Sequence, residues 1–251
     1  MAISFSLEGK AALVTGANTG IGQAIAVALA EAGADVALAG RSEPTETIAL
    51  IEQAGRKCVN IKADLSSIEP VGRVIDEAVA GLGKVDILVN NAGIIRRDDL
   101  LQFSEADWDA VVDTNLKTLF FLSQAAAKGM VERGSGKIVN IASLLTFQGG
   151  IRVPSYAAAK SGVGGVTKAM ANELAGKGVQ VNAIAPGYIS TNNTAALQGD
   201  ETRNRQILER IPTGRWGDPK DIAGAAVFLA SPAADYVSGH ILAVDGGWLA
   251  R

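Results

Sequence analysis

The stretch AALVTGANTGIGQAIAVALA, residues 11–30, joins a short apolar run to a glycine-rich turn and an alanine-rich helical segment. Glycines at such a turn let the backbone approach a pyrophosphate, which the N-terminus of the following helix attracts. The spacing is G-x-x-x-G-x-G rather than the common G-x-G-x-x-G. Following a first strand directly, it still predicts a dinucleotide site. The residues assigned to this phosphate turn are Gly16, Asn18, Thr19, Gly20, Ile21 and Gly22.

Short apolar runs alternate with amphipathic helical stretches along the rest of the chain. The predicted strands are 11–15, 35–40, 58–63, 85–90, 136–143, 179–185 and 240–246, and the predicted helices are 21–32, 44–55, 67–82, 104–131, 155–176 and 218–230. Nearly continuous apolar strands are typical of a parallel sheet covered on both faces. The pattern therefore predicts an α/β fold: one Rossmann-type, doubly wound parallel domain over residues 1–251, with about seven strands and helices on both faces.

Residues 187–217 depart from this alternation, because they form a long polar excursion between the sixth strand and a late helix. Excursions of this length are often functional. The segment is therefore predicted to be a substrate lid, with a solvated pair of surface helices as the alternative.

Composition narrows the class of protein. The 251 residues carry a formal net charge of −3 without a basic block, which argues against a nucleic-acid partner. Cys58 is the single cysteine, so no intrachain disulfide can form, and with one histidine, His240, a metal site is not expected. No stretch is apolar enough to predict a membrane span, and the N-terminal MAISFSLEGK lacks the pattern of a signal peptide. A cytoplasmic protein is the simplest expectation.

The end of the second predicted strand bears on which dinucleotide binds. NAD sites commonly place an acid there for the ribose 2′-hydroxyl, whereas NADP sites place an arginine near the 2′-phosphate. Here the strand runs into Arg41 and Ser42, whose guanidinium and hydroxyl suit a phosphate. Glu43 opposes this interpretation, since a turn could bring its carboxylate back towards the ribose. The sequence favours NADP and leaves NAD open.

Polar residues also follow the third and fourth strands. Asp64 and Leu65 come after strand three, and Asn91, Ala92 and Gly93 come after strand four. The carboxyl ends of parallel strands meet at one edge of the sheet, so these residues are predicted to line the cofactor crevice. Asp64 could equally serve as a helix cap.

Strand five leads to Ser143, and the next helical stretch holds Tyr156 and Lys160 four residues apart, on one helix face. With TGANTGIG, NNAG, TNL, a serine thirteen residues before YAAAK, and APG, the chain resembles the short-chain dehydrogenase/reductase family over nearly its whole length.

The resemblance implies roles for particular residues. Tyr156 would be the general acid and base, Lys160 would lower its pKa and bind the nicotinamide ribose, Ser143 would hold the substrate oxygen, and Asn115 would support a water beside Lys160. It also implies that Tyr156, Lys160, Pro186, Gly187, Ile189 and Thr191 contact the cofactor. The expected assembly is a homotetramer.

Several segments resemble the members of that family that act on a sugar acid of uronate breakdown, and a substrate carboxylate needs a cation. Arg96, Arg97 and Arg152 fall in loops at the expected edge, and Arg97 or Arg152 is predicted to bind the carboxylate. Gln148 and Asn192 are candidates for hydroxyl groups, and Ser143 and Tyr156 for the reacting oxygen. The alternatives are a reductase of gluconate or 3-oxoacyl type, and a non-catalytic dinucleotide sensor on the same fold.

Overall fold

The computed structural model describes residues 3–251 and contains a seven-stranded sheet in the order β3-β2-β1-β4-β5-β6-β7. All pairings are parallel, and β1 lies between β2, where Leu13 is opposite Ala37, and β4, where it is opposite Leu88. The order reverses beside β1, and ligands of doubly wound sheets bind at the carboxyl edge next to such a switch. The predicted fold class is confirmed.

The seven strands and five of the six predicted helices occur in the predicted order, with shifts of up to four residues at their ends. The strands are β1 Ala11–Thr15, β2 Asp35–Gly40, β3 Cys58–Lys62, β4 Ile87–Asn90, β5 Gly136–Ile141, β6 Val179–Pro186 and β7 Ile241–Val244. The helices are α1 Gly20–Glu31, α2 Thr45–Gln53, α3 Val71–Leu82, α4 Glu105–Val112, α5 Thr118–Arg133, α6 Pro154–Leu174, α7 Ala195–Gly199, α8 Glu201–Arg210 and α9 Pro219–Ala230.

The two faces of the sheet carry separate cores. On one face Ile25 of α1 and Ile222 of α9 pack against strand residues such as Val14, and on the other α3, α5 and α6 pack against strand residues such as Leu88 and Ile138. The edge strands β3 and β7 are partly exposed, unlike the inner strands. Each of these two strands has a neighbouring strand on one side only, which leaves its other side open.

The long helix predicted for residues 104–131 is interrupted. A π-helical segment, Asp113–Lys117, separates α4 from α5, and it contains Asn115, whose side chain is fully buried. Segments of this kind place an extra residue in a helical turn and are frequent at functional sites.

The excursion at 187–217 contains the short helices α7 and α8. Its two ends are tied together, because Ser190 N–H donates to the Gly217 carbonyl at 2.8 Å and Gly217 N–H donates to that of Tyr188 at 2.9 Å. Ile207 and Ile211 pack with Leu144 and Trp248 in a small apolar cluster beside the carboxyl edge of the sheet.

Candidate active site

The glycine-rich turn between β1 and α1 adopts a backbone that other residues would strain. Gly16 has a φ of +64°, and a Cβ there would lie 2.9 Å from the Ala92 Cα. A Cβ on Gly22 would collide with the Gly16 carbonyl oxygen and with the side-chain nitrogen of Asn91. Gly20 also has a positive φ, of +61°. The turn therefore needs glycine at all three positions, which leaves open backbone at the N-terminus of α1.

Hydrogen bonds from the end of β4 hold this turn in place. Asn91 Nδ2 donates to the carbonyls of Thr15 and Gly16 at 3.0 and 2.9 Å. The Thr15 hydroxyl oxygen accepts from the N–H groups of Asn91 and Ala92, both at 3.0 Å. Asn91 is thus a support for the phosphate turn as well as part of its wall, a role that the sequence did not reveal.

A cleft of about 510 Å³ opens at the carboxyl edge of the sheet, over the turn. Many residues predicted to bind the cofactor line it: Gly16, Asn18, Thr19, Gly20, Ile21, Gly22, Arg41, Ser42, Asp64, Leu65, Asn91, Ala92, Gly93 and Thr191. The prediction missed Gly40, Ala63, Ser66, Ile94, Ala110, Thr114 and Asn193, which also line it. Glycine backbone, a helix N-terminus and the guanidinium groups of Arg41 and Arg96 lie in a single cleft and fit a dinucleotide with its phosphates.

The end of β2 answers the question that the sequence left open about Glu43. Arg41 and Ser42 line the cleft, whereas the Glu43 carboxylate turns aside and accepts a hydrogen bond from Asn60 Nδ2 at 2.7 Å. Asp64 accepts from the Ser66 N–H at 3.0 Å, and this bond lowers the pKa of its carboxyl group. Asp64 is therefore both a turn-forming residue and part of the wall. The subsite beside β2 offers a cation and a hydroxyl.

Ser143, Tyr156 and Lys160 lie together just beyond β5. The Ser143 hydroxyl oxygen accepts from the Leu145 N–H at 3.2 Å, which leaves its own hydrogen free to donate. The Thr146 hydroxyl donates to the Lys160 carbonyl at 2.9 Å and so fixes this turn against α6. Lys160 Nζ lies 5.6 Å from the centre of the Tyr156 ring and donates to the Ile141 carbonyl at 2.6 Å.

The pKa values of this group are set mainly by burial. Burial raises the pKa of the Tyr156 phenol, and a hydrogen bond with Ser143 and the positive charge of Arg97 oppose that rise. Burial also lowers the pKa of Lys160 to about 8. The predicted lowering of the phenol pKa by Lys160 is therefore not seen in the protein alone, because desolvation outweighs the attraction of nearby charges.

The buried Asn115 side chain bonds to the main chain of the loop that follows β4. It accepts from the Ile94 N–H and donates to the Ile94 carbonyl, both at 2.8 Å. It thereby holds the loop after β4 along the cleft wall.

The residues after β6 adjoin the cleft at one point. Thr191 lies on its wall, with Cγ2 at 3.4 Å from the position of a Cβ on Gly20. Pro186 ends β6, and Gly187 packs so closely on Asp245 that a Cβ would lie 2.6 Å from its Cα. Ile189 is buried in the core, so it presents backbone rather than side chain to a ligand.

Three arginines lie near this edge, and their partners differ. Arg96 pairs with Asp107 at 3.1 Å, and Arg152, at a φ of +64°, pairs with Asp99 at 3.0 Å. Arg97 donates to the Asn193 carbonyl at 3.2 Å and forms no ion pair within residues 3–251. Of the two arginines predicted to bind a carboxylate, Arg97 is thus the one whose charge is not neutralised by an ion pair within residues 3–251.

The remaining candidates lie on the walls or away from the site. Gln148 Oε1 accepts from Trp248 Nε1 at 3.3 Å, which orients its amide NH₂ group, and Asn192 lines the cleft. His240 precedes β7, at the opposite edge of the sheet, and its side chain is exposed. Within residues 3–251 no group of His, Cys, Asp or Glu side chains is arranged to hold a metal ion, and no helix is long and apolar enough to cross a membrane.

Comparison with known proteins agrees with this geometry. A family profile described as Enoyl-(Acyl carrier protein) reductase matches residues 16–249. A curated relative from Escherichia coli (strain K12), named 2-dehydro-3-deoxy-D-gluconate 5-dehydrogenase, is 59% identical over 249 residues, which cover 99% of this chain and 98% of the relative.

Two solved structures are similar over nearly their full length. One, from Agrobacterium tumefaciens, is provisionally named a 2-deoxy-D-gluconate 3-dehydrogenase and holds NADP; it is 62% identical with a TM-score of 0.93, and each chain is covered completely. The other, from Beutenbergia cavernae, is provisionally named an NAD(P)-dependent gluconate 5-dehydrogenase and holds NADP at low occupancy. It is 50% identical with a TM-score of 0.95, covering 98% of this chain and 99% of that one.

Proposed function

Because this chain belongs to the short-chain dehydrogenase/reductase family, we propose that it interconverts a hydroxyl and a ketone on a sugar acid, with NADP as the preferred cofactor. The substrate is 2-dehydro-3-deoxy-D-gluconate, which reacts at C5, as the name of the Escherichia coli relative suggests. The observation that carries the proposal is Arg97, which forms no ion pair within residues 3–251 and donates to the carbonyl of Asn193 on the cleft wall.

The residues divide the chemistry between them. The bound nicotinamide cofactor supplies or accepts a hydride. Tyr156 gives a proton to the substrate oxygen during reduction and takes one during oxidation. Ser143, whose hydroxyl oxygen accepts from the Leu145 N–H, donates its hydrogen to the same substrate oxygen where negative charge develops. Lys160, whose Nζ is held against the Ile141 carbonyl 5.6 Å from the centre of the Tyr156 ring, would bind the nicotinamide ribose.

Cofactor preference follows from the end of β2. Arg41 and Ser42 line the cleft, and the carboxylate that would repel a 2′-phosphate is bonded to Asn60 instead. A guanidinium and a hydroxyl are suitable partners for that phosphate. The NADP in two similar structures supports the same choice.

The substrate carboxylate is assigned to Arg97, and alanine substitution tests the assignment. Arg97→Ala should raise KM for the sugar acid by about 10- to 100-fold, the worth of one hydrogen-bonded charge pair, and change KM for an uncharged diketone less than about threefold. Arg152→Ala is the matched control, because Asp99 already neutralises Arg152. Initial rates with NADPH on both substrates provide the measurement. Equal effects of Arg97→Ala on both substrates would contradict the assignment and leave the carboxylate elsewhere.

The two reaction directions should respond oppositely to pH. Burial raises the pKa of Tyr156, so the phenol is protonated at neutral pH and ready to act as an acid. Reduction should therefore be fastest near neutrality and fall as the phenol loses its proton. Oxidation needs the phenolate, so its rate should rise between about pH 7 and 10. Initial values of kcat/KM in each direction test this, and parallel profiles would show that another group carries the proton.

The proposal extends to the setting of the reaction. We place the reaction in the breakdown of pectin-derived uronates, an extension of the resemblance to sugar-acid dehydrogenases of this family. A cytoplasmic location suits the free Cys58, because reducing compartments keep thiols unpaired. A homotetramer is supported by the apolar edge strand β7, in which Ile241, Leu242 and Val244 are only partly buried.

A further inference from the structure

Glu43 follows Arg41 and Ser42, the candidates for binding the 2′-phosphate, but its carboxylate points away from them. Gly40, Arg41 and Ser42 all line the cleft, but Glu43 does not. Its Oε1 accepts a hydrogen bond of 2.7 Å from Asn60 Nδ2. Asn60 lies on β3, where it is opposite Leu38 of β2, two residues before the end of that strand. The carboxylate is therefore bonded back along the edge strand, away from the cleft.

The hydrogen bond from Asn60 sets the direction in which the negative charge of Glu43 points. Asn60 donates from a neutral amide, so it fixes the direction of the Glu43 carboxylate without cancelling its charge. A carboxylate beside Arg41 would repel a 2′-phosphate, and it would accept hydrogen bonds from an unphosphorylated ribose. The same glutamate could thus favour either cofactor, depending on where its side chain points.

Two features limit how large the effect can be. Glu43 and Asn60 are both exposed, so water competes for the hydrogen bond and salt screens the charge. Lys62 is also exposed and lies on the same face of β3 as Asn60, one step nearer the cleft. A released carboxylate would be drawn towards Arg41 and Lys62, and the attraction to Lys62 reduces its effect on the phosphate.

Resting on the proposed use of NADP, we infer that Asn60 is a positioning residue for cofactor choice. By holding the Glu43 carboxylate against β3, it keeps the subsite beside Arg41 free of negative charge. Loss of the Asn60 amide weakens NADPH binding selectively and moves the preference of the chain towards NADH.

The test is a double-mutant cycle read by nucleotide binding rather than by turnover. Dissociation constants for NADPH and NADH would be measured by fluorescence titration, at about 0.05 M salt so that screening is weak. Asn60→Ala should raise the dissociation constant for NADPH roughly three- to tenfold, the range of one neutral hydrogen bond, and change that for NADH less than twofold. Glu43→Gln should bind both nucleotides as the parent does. The double variant should also return to the parent, because it has no carboxylate to release.

Two results would overturn the inference. One is an Asn60→Ala variant whose preference for NADPH over NADH stays within twofold of the parent. The other is a double variant that keeps the defect, because Asn60 would then act through the strand rather than through Glu43. The Arg41→Ala variant distinguishes a failure of the Asn60 inference from a failure of the proposed use of NADP. If Arg41→Ala also leaves the preference unchanged, the assignment of NADP to this subsite is itself wrong.

Discussion

Replacement of Tyr156 by phenylalanine is expected to lower kcat for the sugar-acid reaction by about 10²- to 10⁴-fold, the usual contribution of a positioned acid or base. The substitution removes only the hydroxyl that exchanges a proton with the substrate oxygen. The ring beside Lys160 remains, at the place where Nζ now lies 5.6 Å from its centre. NADPH should therefore bind within about threefold of the parent, while turnover falls in both directions.

Tyr236→Phe provides the matched control for this substitution, since the Tyr236 side chain is fully exposed and lies on the loop after α9. Its kcat and KM should equal those of the parent. The measurement is steady-state turnover with NADPH and the diketo acid, alongside nucleotide titration of the same preparations. A Tyr156→Phe variant that turns over at the parental rate would remove Tyr156 from the chemistry, and a different proton donor would have to be sought.

The fold could be predicted from the sequence because its signals are local. The apolar run of β1, the glycines that follow it and the alternation of strands and helices all reflect backbone and burial rules that act within a few residues. The interruption at Asp113–Lys117 could not be predicted in this way, since no glycine or proline between residues 105 and 121 marks a break in the helix. The exposure of β3 and β7 follows from their places at the two edges of the sheet. The apolar pattern of a strand does not by itself show which strands lie beside it.

In the candidate site, too, the positions of residues could be predicted from the sequence but their side-chain partners could not. Residues next to strand ends, such as Gly16 and Asp64, were predicted to line the cleft and do so, because parallel strands bring their carboxyl ends together. The partners of individual side chains could not be predicted. Asn60 of β3 donates a hydrogen bond to Glu43 in the loop after β2, and Asp99 forms an ion pair with Arg152 between two loops. Such contacts depend on distances that only the folded chain defines.

A second large effect is expected at the phosphate turn, where Gly22→Ala should weaken NADPH and NADH binding alike by at least about tenfold. The added methyl group would meet the Gly16 carbonyl oxygen and the Asn91 side-chain nitrogen. Both are parts of the scaffold that holds the turn, so the backbone facing the pyrophosphate must shift. Overpacking of this kind costs about 1–3 kcal/mol, which corresponds to a fall of several degrees in Tm for a chain of this size.

Gly72→Ala is the control, because a Cβ on this residue of α3 has no atom within 4 Å. There the same change should leave nucleotide binding unaltered and stabilise the helix by up to about 1 kcal/mol. Titration with both nucleotides and thermal unfolding of each variant separate the two sites. If Gly22→Ala bound nucleotide as tightly as Gly72→Ala, the turn would not be the phosphate site. The cleft over α1 would then hold its ligand through side chains such as Arg41 and Thr191 alone. The tight glycine backbone of the turn would in that case have no part in binding.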